Sequence, residues 1–316
     1  MDQIKTKPRS VGESLDQTFR LAKANFKSYF LILLFLMGPG FLINYIFLFM
    51  GGAGLLTGDK STTLIASLNS DTQAAGVEQF VLDNLGSNMH LLFLVLTTLV
   101  SFVLIPMAHA SVLVGTIRSM KQESWTVSEV IKLAFSRFWP LIGSTLLFGV
   151  IVFAFFFVTF IIIFFAGFST FSGGNGLAAI IISIIFFLAF LVAAAFFAIK
   201  LSMFFAATTF EKLAPGFAKS WKLTKGRFWA TFGFFAVILI INFLVSVLFE
   251  GVASLLLGTS VLSTVLMNLG TIVTTLFLMV GYAVIYADLR TRNEASDLKD
   301  MISDYKSDDS TVSTEQ

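Results

Sequence analysis

The chain has 316 residues, 56% of them apolar and 13% charged, with 38 phenylalanines, no cysteine and a net charge of +2. That composition lies outside the range of soluble domains and makes a bilayer the solvent. It excludes disulfides, thiolate nucleophiles, iron–sulfur clusters and cysteine zinc sites, and two histidines, His90 and His109, are too few for a histidine metal cage.

Residues 1–27 are polar and carry Lys5, Lys7, Arg9, Arg20, Lys23 and Lys27. The apolar stretch behind them is too long for the h-region of a signal peptide and has no small-residue cleavage site, so the first span is expected to remain in the protein. Apolar stretches lie at about 28–50, 91–117, 140–166, 177–207, 230–250 and 261–287. Each equals or exceeds the ~20 residues a helix needs to cross ~30 Å of hydrocarbon. Alternating strands of ~10 residues, the mark of a transmembrane barrel, are missing. The predicted class is all-α: a polytopic membrane protein with six transmembrane helices.

Every Lys and Arg except Lys60 falls on one side of this arrangement. The positive-inside rule therefore puts both termini and the loops 118–139 and 208–229 in the cytoplasm. Just before the first, third and fifth spans stand three short segments that superpose when aligned on Phe26, Phe138 and Phe228. Eleven, seven and four residues ahead of those anchors come Leu15, Phe19 and Ala22, then Val127, Ile131 and Ala134, then Phe217, Trp221 and Thr224. These offsets trace one helical face, while six residues ahead the residue is basic each time: Arg20, Lys132 and Lys222. Ser10 with Glu13 and Thr126 with Glu129 have capping-box spacing, and Pro215 suits a first helical turn.

The pattern predicts three hairpins, each preceded by a cytoplasmic interfacial amphipathic helix, in repeat units of about 9–117, 124–207 and 213–289 within one membrane domain, 1–292. The apolar stripe would face lipid or protein and the basic flank phosphate. Trp125, Trp139, Trp221 and Trp229 lie near the same boundary, as interfacial anchoring requires. These helices either only anchor the spans or bind lipid or a partner specifically. On the other side, 51–90 forms one long, mildly acidic exterior loop with a possible short helix near 74–85, and the turns near 167–176 and 251–260 close hairpins. The tail from 293 to 316 is polar and expected to be disordered.

No catalytic constellation, Walker loop or dinucleotide fingerprint can be assembled, so no enzyme activity and no cofactor are expected. Polar groups inside spans are costly unless paired, which singles out Asn44, His109, Asn242 and Asn268 as candidates for a polar path. Lys200, Glu211, Arg227, Asp288 and Arg290 are candidates for a charge network on the cytoplasmic side, with snorkelling as the simpler account of Lys200. Arg20, Lys132, Lys222, Trp221 and Trp229 are the candidate interfacial lipid contacts. Ala193, Ala194, Ala195 and Ala198 allow close helix contact, whereas the run Phe153 to Phe160 supplies bulk against lipid or neighbours.

The segment Ser220–Trp221–Lys222–Leu223–Thr224–Lys225–Gly226–Arg227–Phe228–Trp229, the closing Tyr286–Ala287–Asp288–Leu289–Arg290, Gly12–Glu13 and Phe19–Arg20–Leu21 carry a resemblance that covers nearly the whole chain. It resembles the membrane domain that precedes the catalytic barrel in some bacterial glycerophosphoryl diester phosphodiesterases. The resemblance implies a six-helix protein of a bacterial inner or plasma membrane. The catalytic barrel itself, with its His-Arg-Gly start and metal-binding carboxylates, is a separate segment, so no catalytic residue carries over. The functional expectation is a non-enzymatic scaffold, regulator or protective factor whose partners are membrane lipids and a membrane or cytoplasmic protein, not nucleic acid. The alternative is a small transporter or lipid-handling protein with a polar path between the hairpins.

Overall fold

The computed structural model describes residues 9–56, 81–172, 176–211, 214–258 and 260–312, and among them no strand occurs. The helices are α1 (Val11–Ala24), α2 (Phe26–Met50), α3 (Ser87–Met120), α4 (Val127–Phe135), α5 (Phe138–Ser172), α6 (Gly176–Leu201), α7 (Phe204–Phe210), α8 (Phe217–Leu223), α9 (Phe228–Leu257) and α10 (Val261–Val312). Six stretches are long and apolar enough to cross a bilayer: Phe26–Met50, Ser87–Met120, Phe138–Phe165, Ile180–Phe210, Phe228–Leu257 and Val261–Glu294. The chain is thus an all-α, multi-pass membrane protein. Much of the long loop expected over 51–90, including Lys60 and the start of the helix expected near 74–85, lies outside the described residues, as do Gly173, Gly174 and Asn175.

The three phenylalanines that anchor the sequence repeat are the first residues of α2, α5 and α9. Local chemistry starts the short helices ahead of two of them. The Ser10 hydroxyl accepts the Glu13 N–H, and the Glu13 carboxylate accepts the Ser10 N–H at 2.7 Å. Thr126 and Glu129 close the same reciprocal box on α4. Each box satisfies backbone donors that the first helical turn leaves without partners.

The chain divides into two compact units: Met1–Phe138 with Gly233–Gln316, and Trp139–Phe232. In the first, α10 is the hub against which α1, α2 and α3 pack. Every residue from Val280 to Leu289 is buried. A helix apolar all round belongs in an interior. Close approach depends on Gly281, where an added Cβ would lie 2.4 Å from Ile238 Cδ1 and 3.2 Å from Thr18 Cγ2. At the opposite end Phe47, Leu48, Val81 and Phe93 form a small core, and the Val261 and Leu262 N–H groups donate to the Gly54 and Leu55 carbonyls at 3.1 Å each. A turn of helix is present at 81–85. Beyond Arg292, α10 continues to Val312, a stretch with no proline or glycine to end it.

The second unit is held by aromatic rings. Phe148 stacks on Phe204 at 4.5 Å, Phe204 meets Phe217 at 5.3 Å, and Phe155 stacks on Phe190 at 5.3 Å. These contacts tie α5 to α6, α7 and α8, while Phe153, Phe160 and Val192 stay open to the surroundings.

Candidate functional site

In all three copies of the repeat, the short helix buries the residues eight and four positions ahead of the anchor. These are Thr18 and Ala22 on α1, Val130 and Ala134 on α4, and Ser220 on α8 with Thr224 at its C-cap. Of the stripe read from the sequence, the residues four positions ahead are thus buried, whereas those eleven and seven ahead are half-buried or exposed: Phe19 is 40% and Trp221 42% exposed, with Leu15, Val127, Ile131 and Phe217 half-buried. Arg20, Lys132 and Lys222, six positions ahead, are exposed each time. On the residue after the anchor, Trp139 and Trp229 are almost fully exposed. The residues eight and four positions ahead thus point at protein and the cations away from it, while the part-exposed rings of Phe19 and Trp221 also touch Phe277 at 5.4 Å and Phe196 at 6.0 Å. That order suits a helix lying where hydrocarbon meets headgroups.

The inward face of α1 is polar: Ser14, Gln17 and Thr18 are all buried, and the Thr18 hydroxyl donates to its own Ser14 carbonyl at 2.8 Å. What fixes α1 is a clasp to α10. Asp288 accepts the Arg9 backbone N–H at 2.7 Å and Arg292 Nε at 2.8 Å, while Arg292 Nη2 donates to the Arg9 carbonyl at 2.6 Å. The ring closes both backbone groups of the residue just before the Ser10 cap, with the Asp288 charge near the positive end of the α1 dipole. Burial holds the Arg9 guanidinium below its ordinary pKa, and Asp288 acts against that shift. Arg9 precedes the first span and Arg292 lies at the end of the last, so the start of the first span and the end of the last meet on one side. On α3, Arg118 meets Glu129 at 3.4 Å and Glu123 at 3.8 Å. Trp125 donates to Ser119 at 2.7 Å and stacks on buried Tyr29 at 5.5 Å.

In the second unit, the break between α6 and α7 is bridged by Ser220. Its hydroxyl donates to the Lys200 carbonyl at 2.8 Å and accepts the Met203 N–H at 3.0 Å. Lys200 is buried, and its Nζ stands 5.4 Å from the Trp221 ring centroid and 5.7 Å from that of Phe196. Thr208 accepts the Gly216 N–H at 3.1 Å, and an added Cβ at Gly216 would lie 2.7 Å from the Phe204 carbonyl.

The five residues expected in a charge network have these partners. Glu211 pairs with Lys219 at 3.4 Å, Asp288 with Arg292 and the Arg9 backbone, and Arg290 with Glu294 at 2.7 Å. Lys200 has rings beside it, and Arg227 is exposed. The partners Arg9, Lys219 and Arg292 carry no motif of their own. Arg292 alone had a local signal, four residues after Asp288, the spacing at which helical side chains meet.

Of the four intramembrane polar residues, Asn268 donates from Nδ2 to the Tyr45 hydroxyl at 2.9 Å, joining α10 to α2. Asn44, one residue earlier on α2, lines a groove against α3 with Gly40, Thr97 and Ser101. Nδ2 of Asn242 on α9 is buried without a hydrogen-bond partner among the described residues. His109 is half-buried on α3, one turn past Pro106. No protein-family model, curated protein or solved structure matches the chain.

Proposed function

We propose that this chain is a non-enzymatic protein of a bacterial inner or plasma membrane, with both termini cytoplasmic, that acts as a scaffold, regulator or protective factor. Its interfacial helices engage lipid headgroups or a cytoplasmic partner. The observation that carries the reading is the common register of the three short helices: the residues eight and four positions ahead of the anchor are buried, and one exposed cation stands in each copy at Arg20, Lys132 and Lys222. A cation near an anionic leaflet contributes about 1 kcal/mol of attraction, so three repeated ones give a surface preference without any deep pocket. The resemblance to the membrane domains of glycerophosphoryl diester phosphodiesterases belongs to the same proposal.

The test is mass spectrometry of the protein extracted in polymer discs with its surrounding lipid. Enriched anionic lipid or a stoichiometric protein, either one lost on joint R20Q, K132Q and K222Q substitution, supports the reading. Retention of neither above the bulk membrane defeats it.

A second reading, a small transporter or lipid-handling protein, draws on the Asn44 groove and the unpartnered Asn242 amide. In that case His109→Ala and Asn242→Ala abolish function while the basic substitutions spare it.

A further inference from the structure

Cations stand near the C-terminal ends of α3, α6 and the last span, and in two of the three places they are neutralised by carboxylates. Arg118 has Glu129 and Glu123; Arg292 has Asp288, and Arg290 has Glu294. Lys200 is the exception. It is 8% exposed, close to the 6% of Asp288, yet among the described residues no carboxylate lies within ion-pair distance of it. Two aromatic rings flank its ammonium instead, Trp221 at 5.4 Å and Phe196 at 5.7 Å. Ring faces attract a cation through their quadrupole but carry no net charge. The ammonium therefore has no ionic partner among the described residues, where charges this close to an interior normally have one.

The group is also held in place. Its own carbonyl accepts the Ser220 hydroxyl, which is fully buried and simultaneously accepts the Met203 N–H across the helix break. Lys200 is the last residue but one of α6, at the break that Ser220 bridges, on the side to which the positive-inside rule assigns the headgroup-facing cations. Beside it, Trp221 is exposed. Lys200 is buried with two rings beside its ammonium, and an anionic headgroup would supply the missing charge.

We propose that Lys200 is a built site for the phosphate of an anionic phospholipid, with the Trp221 ring lining the headgroup. This site rests on the lipid reading above and adds to it a defined position outside the repeated cations.

The probes are phosphatidylglycerol and phosphatidylcholine, titrated onto the full-length protein in detergent and read by native mass spectrometry. Wild type is expected to retain phosphatidylglycerol in preference to phosphatidylcholine, with excess inorganic phosphate leaving that retention in place. K200Q is expected to weaken phosphatidylglycerol retention about fivefold, the equivalent of one surface cation, and K200R to restore it. Trp221→Leu, at an exposed position, weakens it with the melting temperature unchanged, which separates binding from folding. Equal retention by K200Q and wild type overturns the proposal. So does displacement of the lipid by inorganic phosphate, which would make the site one for the free anion. If K200Q retains the lipid while the joint R20Q, K132Q and K222Q variant loses it, the Lys200 site falls and the surface reading stands; if neither variant changes retention, both fall.

Discussion

Replacing Asp288 by Asn tests whether the clasp holds α1 to α10. The substitution keeps one oxygen for the Arg9 N–H but turns the other acceptor into an NH2 group facing Arg292 Nε, which is also a donor. Hydrogen bonds to charged groups contribute about 1.5–3 kcal/mol each, and removing one partner of a buried pair costs about 3–5 kcal/mol. Asp288 is 6% exposed and Arg292 21%, so the pair is partly screened and the lower end applies. We expect about 2–4 kcal/mol of lost stability, measured by titrating the protein from mild micelles into denaturing detergent. Limited trypsin digestion should cut at Arg20 and Lys23 faster as α1 lifts away. An unfolding midpoint and an N-terminal cleavage rate both equal to wild type would refute the reasoning.

Ser220→Ala removes the hydroxyl that bridges the Lys200 carbonyl and the Met203 N–H in a fully buried position, and should cost about 1–3 kcal/mol in the same titration. Gly216→Ala drives a Cβ to 2.7 Å from a backbone carbonyl, whereas Gly281→Ala first meets the movable tip of Ile238. The former should therefore destabilise more than the latter, against an overpacking scale of about 1–3 kcal/mol, and the reverse order would contradict the packing. Glu13 is held below its ordinary value of 4.5 first by the Ser10 backbone N–H and then by the Ser10 hydroxyl. A depressed carboxyl stabilises the fold above the unfolded value and loses that contribution as pH falls through the folded one. The stability difference between wild type and Glu13→Gln should accordingly be present at neutral pH and vanish on acidification below 4.5.

The spans were legible because crossing a bilayer demands length and apolarity, which composition reports directly. The anchors Phe26, Phe138 and Phe228 were legible as helix starts because a repeat preserves phase, and both capping boxes because their chemistry is confined to four residues. The inward face of α1 was not. In water, an apolar stripe marks the most buried side, but in this membrane protein Phe19, though it touches Phe277 of α10 at 5.4 Å, stays 40% exposed while Ser14, Gln17 and Thr18 are buried. The partners of Asp288 were hidden for another reason: Arg9 lies 279 residues away, beyond any spacing rule. Glu211 likewise meets Lys219 only after the chain turns through Pro215 and Gly216.

That separation has a consequence for biosynthesis. The first compact unit is assembled from residues at the two ends of the chain, with Trp139–Phe232 made in between. At about 5–20 residues per second, Arg9 leaves the ribosome roughly 15–60 s before Asp288 does. Throughout that interval α1 has no α10 to cover Ser14, Gln17 and Thr18, and the third to fifth spans must insert while it waits. A nascent chain arrested before Val261 should thus be cut by trypsin within α1, and one extended past Arg292 should not. The first helix to be made is among the last to be seated.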